Sequence, residues 1–396
     1  MASNRKKTHA MATDTHTCTN TADSYSCHAS PVALIDHLAI KHNIARLRQL
    51  LAKGQSNHAP HIWAVAKADA YGHTLELAYP GLCSADGLAV LTLDDVRHCR
   101  ALGWTGPILA MSPQVTRAEL KDPALYPLHL IIDHAEQLAH LAALNPRFAP
   151  HVWLRFRASL NHAGFDQTDY RKAYAFLQTA LREGRLAGLG HLQHYASAEI
   201  AEQLRKERQV FQALICGMPG PVCTENSAAL LSDHAAAAAA ATDWVRSGIA
   251  VYGISPLHGM SGHDLGLRPA MVLQAPVYGI QVLGAGEFLG YNSRFQATRQ
   301  TRVGLVRCGY AHGYPRGLAE GCEVMVYGRK ATIIGRVSMD TLTIDLSDHP
   351  DVGCNAMVTL WGTHELPIET VARQANTIPA QLCTALTARV PRLAMP

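Results

Sequence analysis

Lys67 is the residue whose type and position point most directly to chemistry. It follows the apolar run Ile62-Trp63-Ala64-Val65-Ala66 and opens the segment Lys67-Ala68-Asp69-Ala70-Tyr71-Gly72-His73. A lysine at the end of a buried strand is partly desolvated, which favours the neutral amine and suits it to act as nucleophile or base. A lysine that merely snorkels from a strand end has the same spacing, so spacing alone leaves both readings open. His191 and His194 lie three apart, and strand geometry sends such a pair to opposite faces, which argues against a metal pair. His73, beside Gly72, reads as turn chemistry. The 10 cysteines, at 18, 27, 83, 99, 216, 223, 308, 322, 354 and 383, contain no C-x-x-C pair. Reduced structural thiols fit that scatter better than zinc or a disulfide framework. No G-x-x-x-x-G-K-[ST] segment occurs, so any phosphate must be held without a P-loop.

The elements that would position these residues follow from the apolar pattern. Val32-Ala33-Leu34-Ile35 is strand-like, and Asp36 can cap a helix carrying Leu38, Ile40, Ile44, Leu47 and Leu50 on one face. Eight apolar runs follow, at 62–66, 87–90, 107–110, 128–132, 151–156, 189–194, 222–224 and 244–246, with helical stretches between them. Such alternation is the signature of β-α units and a parallel sheet. Over residues 31–266 it predicts a closed (β/α)8 barrel, with an open doubly wound sheet as the alternative. The run Ala235–Ala241 follows Ser232 and Asp233, good capping types, and reads as a barrel helix. Residues 267–396 change character. Strand-like segments at 272–277, 302–306, 323–327, 331–334, 341–346 and 357–361 are separated by Gly, Asp and Pro turns, with no long helix before Ile368 to Ala388. That predicts an all-β second domain, a small barrel or sandwich. A barrel carries its chemistry at the C-terminal strand ends, which is where Lys67 falls.

Composition excludes other classes. The 396 residues are 48% hydrophobic and 17% charged, which suits a folded protein with a sizeable core. Lys plus Arg number 35 against 31 Asp plus Glu, a net +4 spread along the chain apart from Arg5-Lys6-Lys7, so nucleic acid is a poor partner. No apolar stretch is long enough to span a membrane. Residues 1–30 are rich in Thr, Ser, Asn, Asp and His and lack an apolar core, predicting a disordered extension and not a signal peptide. A cytoplasmic location is the expectation.

The segment Ala64-Val65-Ala66-Lys67-Ala68-Asp69-Ala70-Tyr71-Gly72-His73 resembles the pyridoxal-phosphate lysine motif of the alanine racemase family. Further segments agree in order: Asn226-Ser227-Ala228-Ala229, Val245–Gly253 (V-R-x-G-I-x-x-Y-G), Gly309–Arg316 (G-Y-A-x-G-Y-P-R) and Gly335–Asp340 (G-R-x-x-M-D). The resemblance spans roughly residues 31 to 396 and implies an α/β barrel followed by a β domain. It implies pyridoxal 5'-phosphate as cofactor, joined to the Lys67 amine. It further implies that Lys67 and Tyr310 are the two catalytic bases, one on each face of the substrate. Tyr71, Ser227 and the backbone N–H groups of Gly248 and Ile249 would hold the phosphate, and His194 would stack on the ring. Arg246 would face the ring nitrogen; a guanidinium only donates, so that nitrogen stays unprotonated and proton return is favoured over competing chemistry. Met339 would offer its backbone N–H to the substrate carboxylate. A homodimer is implied, with Tyr310 and Met339 serving the partner's site, and a small amino acid as substrate.

Four positions depart from the family pattern. Arg155 replaces a lysine that is often carbamylated. His162 stands where an arginine contacts the cofactor's phenolic oxygen and the substrate carboxylate, so weaker substrate binding is expected. His312 replaces an aspartate two residues after Tyr310, and Ala380 falls near a tyrosine that helps hold the phosphate. The expected activity is L-alanine/D-alanine interconversion. The alternative is a divergent pyridoxal-phosphate-binding protein with weak activity or activity on other small amino acids such as serine. A decarboxylase on the same fold is disfavoured by Arg246, because decarboxylation wants the stronger electron sink.

Overall fold

The computed structural model describes residues 30–52, 59–111, 115–116, 118–142, 149–232 and 242–396. The expected tail, apart from Ser30, and the expected helix through Ala235–Ala241 lie outside the described residues.

Eight parallel strands close into a barrel in chain order: β2 (His61–Val65), β3 (Gly87–Val90), β4 (Ile108–Ala110), β5 (Leu128–Ile132), β6 (His151–Arg155), β7 (Gly188–Leu192), β8 (Val222–Asn226) and β9 (Trp244–Ser247). The seam is β9 on β2, from His61 opposite Trp244 to Ala64 opposite Ser247. The closed barrel, and not the open sheet, is thus the architecture. Strand period divides each run between two environments. Ile62, Ala64, Leu88, Val90, Ile108, Leu130, Val152 and Leu154 join the large core shared with the helices. Trp63, Val65, Ala89, Leu109, Ile131, Trp153, Leu192 and Cys223 form a separate apolar cluster, the filled barrel interior.

The second region is built on β10 (Met271–Leu283), a strand long enough to serve two sets of neighbours because its register shifts after Leu273 and again after Val277. It pairs with β13 (Thr301–Val306) and β17 (Met357–Trp361) in an eight-stranded sheet that also holds β14 (Glu323–Val326), β15 (Arg329–Thr332) and β16 (Leu342–Asp345). The sequence groups the opening strand β1 (Val32–Ile35) with the barrel. Here it pairs with β10 and with β18 (Arg392–Ala394), so the first and last described strands both belong to the second sheet. Asp36 caps the following helix, His37–Leu51, accepting from the N–H groups of Leu38 and Ala39. The helix expected over 368–388 is two short ones, Ile368–Gln374 and Pro379–Ala385, interrupted where Asn376 turns left-handed at φ 50° ahead of Pro379. A short hairpin, β11 (Phe288–Leu289) with β12 (Phe295–Gln296), is an element the pattern did not predict.

Candidate active site

The inward rows of the barrel continue upward into charged residues. Trp63 and Val65 lead to Lys67, Ile131 to Asp133, Trp153 to Arg155, Leu192 to His194, and Trp244 to Arg246, each step obeying the two-residue strand period. The C-terminal mouth therefore collects three cations, one carboxylate and one imidazole from five strands.

Lys67 begins a turn of unusual hand. Ala68, Asp69, Ala70 and Tyr71 all have φ between 52° and 56°, a left-handed conformation costing about 1–2 kcal/mol per residue for L-amino acids. Local bonds hold it. Asp69 Oδ1 accepts from the Leu75 N–H at 2.8 Å, and the Asp69 carbonyl accepts from the Thr74 N–H at 3.1 Å. His73 is fully buried with Nδ1 at 3.0 Å from the Ala70 carbonyl and 3.1 Å from that of Tyr71, so this nitrogen carries the proton. Burial pulls the His73 imidazole down to about 4, which keeps it neutral. The Tyr252 hydroxyl donates to the Val65 carbonyl at 3.0 Å and Arg392 Nε donates to the Gly72 carbonyl at 3.3 Å, tying down both ends. Sequence reading gave His73 no role beyond turn chemistry; it clamps the strained turn. The Lys67 side chain is exposed, so burial within one chain does not supply the desolvation expected of it.

Four of the expected phosphate ligands meet in one place. Ser227 Oγ accepts from the Gly248 N–H at 3.0 Å and lies 3.3 Å from Ser247 Oγ. A Cβ on Gly248 would stand 2.4 Å from the Tyr71 hydroxyl, so only glycine permits this approach. Ile249 opens the 3-10 turn Ile249–Tyr252 immediately afterwards. Burial pushes the Tyr71 phenol up to about 12, leaving it a hydrogen-bond donor. Ser227 is delivered by β8, whose end is fixed by Glu225: this fully buried carboxylate receives Arg208 Nη2 at 2.7 Å and the Tyr195 hydroxyl at 3.2 Å. Asn226 then caps the next turn through the Ala229 N–H at 3.0 Å. The cradle consists of hydroxyl and amide donors with a space that a side chain would fill, which fits a phosphate group.

Arg246 is buried and donates to the carbonyls of Cys223 and Gln193, both at 2.8 Å, while Nη2 lies 3.2 Å from His194 Nδ1. Burial, then the charges of Arg246, Arg155 and Lys67, hold the His194 imidazole down at about 3. A neutral ring accepts from the guanidinium through Nδ1. His191 points the other way, its Nδ1 2.9 Å from the Tyr170 hydroxyl, and no metal-ligating group of three occurs among the described residues.

The β region presents Tyr310 and Met339 together, on its own surface. The Tyr310 N–H donates to the Ser338 carbonyl and the Ala311 N–H to the Met339 carbonyl, both at 3.0 Å. Gly309 fits between them, where a Cβ would approach the Ser338 carbonyl oxygen to 2.3 Å. His312 is buried, and Nδ1 accepts from the Gly309 N–H at 3.2 Å; burial and the charges of Arg389 and Arg307 lower its pKa against the opposing pull of Asp340. A neutral imidazole thus closes the turn where the family has a carboxylate. His162 is exposed and makes no hydrogen bond or ion pair among the described residues. Ala380 sits in the first turn of Pro379–Ala385 with its carbonyl bonded to Thr384 Oγ1; it is the far end of that helix, Cys383 and Thr384, that meets Gly72 of the Lys67 turn.

One aromatic residue escaped the sequence reading. Tyr291 is 66% exposed on the hairpin turn between β11 and β12, flanked by Gly290, Asn292 and Ser293 at φ 76°, 61° and 47°. The turn lies against Gly335 and Arg336, just ahead of Met339. The signal was available: an aromatic residue set among Gly and Asn turn formers.

The fold has close counterparts. The model of the alanine racemase N-terminal domain matches residues 35–256 and that of the C-terminal domain residues 270–394. This chain belongs to the alanine racemase family. An alanine racemase of Bordetella avium is 39% identical over 363 residues, covering 91% of this chain and 97% of that protein. One from Polaromonas naphthalenivorans is 38% identical over 368 residues, covering 91% and 98%. The crystal structure of a biosynthetic alanine racemase from Pseudomonas aeruginosa superposes with TM-score 0.83 at 34% identity, covering 93% of this chain and 99% of that one. An alanine racemase from Bartonella henselae with covalently bound pyridoxal phosphate superposes with TM-score 0.79 at 25% identity, covering 93% and 100%.

Proposed function

We propose that this chain interconverts L- and D-alanine with pyridoxal 5'-phosphate as its cofactor. The observation that carries this reading is the cradle of Tyr71, Ser227 and Gly248 at the same barrel mouth as Lys67 and Arg246. Lys67 would hold the cofactor through its amine, with Tyr71, Ser227 and the N–H groups of Gly248 and Ile249 at the phosphate. His194 would lie against the ring and Arg246 at the ring nitrogen, donating and never giving up a proton. When bound, the cofactor supplies an electron-withdrawing ring that makes the α-hydrogen of the amino acid labile.

The chain's own groups then move the proton. The Lys67 amine takes or returns it on one face of the α-carbon. A tyrosine hydroxyl from the β region of a second copy does so on the other, which makes the active unit a homodimer with shared sites. The Met339 N–H would serve the substrate carboxylate. Tyr310 is the first candidate for the second base, on motif grounds. Tyr291 is a second reading, supported by the strain stored in its turn, since positive φ in non-glycine residues concentrates at functional positions. The test is direct: protein supplied with pyridoxal phosphate should produce D-alanine from L-alanine, and borohydride reduction should fix the cofactor to Lys67. K67A should abolish the fixed adduct; an adduct that persists on another residue would overturn the assignment.

A further inference from the structure

The family pattern places the carboxylate-binding arginine at the position held here by His162, yet His162 stands exposed and unpartnered among the described residues. A guanidinium that does reach the mouth stands at the root of that same loop, whose far end returns to it through the Phe165 N–H donating to the Arg155 carbonyl at 3.0 Å. Arg155 is the last residue of β6, on the inward face above Trp153, and pairs in register with Leu192, the residue two before His194. The Phe156 N–H donates to the Leu192 carbonyl at 2.8 Å, locking the end of β6 against the His194 segment. The Arg155 side chain is 15% exposed, and its nearest counter-charge, Asp133 Oδ2, is distant at 3.8 Å from Nη1. Its Nε is buried with no hydrogen-bond partner among the described residues. A guanidinium donor without an acceptor is costly in a protein interior, and such donors are ordinarily satisfied by a ligand or water.

We propose that Arg155 recognises the carboxylate of the amino-acid substrate, taking over from β6 the task that the loop position 162 performs elsewhere in the family. This rests on the proposed racemase reading and adds to it the residue that binds one end of the substrate. Three features support it. The side chain rises from a rigid strand, which fixes its direction better than a loop does. Its fork suits a carboxylate in two-point contact. Asp133 offsets part of its charge from the side, so the mouth keeps a net positive potential from Lys67, Arg155 and Arg246. His194, which feels all three cations, stays neutral and adds no competing charge.

The test uses the full chain loaded with pyridoxal phosphate. Propionate, a carboxylate without an amine, is titrated against the visible absorbance of the bound cofactor, alongside KM and kcat for alanine. R155Q should weaken propionate binding and raise KM for alanine by about tenfold or more, the loss expected of a charge-assisted hydrogen bond. The cofactor absorbance and the borohydride adduct on Lys67 should be unchanged. Removing Arg155 leaves the buried Asp133 beside only the exposed His134 imidazole, so R155Q/D133N is measured in parallel to separate binding from folding. R155K should recover part of the propionate affinity. Propionate affinity and KM at the parent level in both R155Q and R155Q/D133N would overturn the proposal. A parent protein with no adduct on Lys67 would instead remove the racemase reading beneath it.

Discussion

Among the described residues of the β region four tyrosines are exposed, Tyr278, Tyr291, Tyr310 and Tyr327, and of the two candidates Tyr310 and Tyr291 only one can lie opposite Lys67 at the reacting carbon. Tyr310 is 41% exposed, and its backbone is explained by the bonds that knit residues 309–312 to the Met339 loop. Tyr291 is more exposed, and nothing in sheet pairing demands the positive φ of its neighbours Gly290, Asn292 and Ser293. Y310F and Y291F each remove a hydroxyl while keeping the ring, so both should retain the cofactor and the fold. Loss of the hydroxyl that acts as base should cost about 100-fold or more in both directions, and the motif at 309–316 predicts the larger loss for Y310F. Racemisation rates of the two variants, measured from each enantiomer, settle the matter; a far larger loss for Y291F would move the role to the hairpin tyrosine.

At the scale of elements, the cradle depends on how closely a turn approaches a strand end. A Cβ at residue 248 would collide with the Tyr71 hydroxyl, which could move only by disturbing a turn already held in left-handed geometry by Asp69, His73 and Arg392. G248A should therefore weaken pyridoxal phosphate binding by about tenfold or more, as read by equilibrium dialysis, and lower the unfolding midpoint by the few degrees that about 1–3 kcal/mol of overpacking costs, as read by thermal denaturation. Unaltered cofactor affinity would mean that phosphate is held elsewhere. The same region shows what the sequence could and could not reveal. All eight barrel strands were legible, because buried parallel strands read as short apolar runs. The hand of the 67–72 turn was not, since Ala68 and Ala70 have every intrinsic preference for the right-handed form and yield only to tertiary contacts. The pairing of β1 with β10 and β18 was equally invisible, because a four-residue apolar strand carries no mark of its partner. The motif residues Lys67, Ser227, Arg246 and Gly248 fall at or just past the C-terminal ends of β2, β8 and β9, whereas Ala380 falls in the second of two short helices where one helix was expected. Arg155 read as a lost lysine, and only its inward direction on β6 gives it a task.

For the whole molecule, the barrel is closed at its opposite end by imidazole and indole rings in place of aliphatic layers alone. His129 stacks on His151 at 4.5 Å, Trp153 Nε1 donates to His129 Nδ1 at 3.1 Å, and Trp63 stacks on Trp244 at 4.0 Å. Burial holds His129 at about 3 and His151 at about 4, against 6.5 for the free side chain. Both are neutral in the folded state, and the unfolded chain binds more protons at any pH between those values and 6.5. Their contribution to stability is therefore complete above 6.5 and declines as pH falls toward 4 and then 3. The loss is on the order of 2 kcal/mol per imidazole at about pH 5. His73, buried, and His194, half-buried, have pKa values lowered in the same direction and add to the trend. Denaturant midpoints should accordingly fall between about pH 8 and about pH 5, and H151F, which keeps a ring in the stack but cannot take up a proton, should fall less. If H151F and the parent lose stability equally over that interval, the acid sensitivity resides outside the barrel floor. If neither loses any, the floor imidazoles titrate as they would in water, and the barrel end is open to solvent.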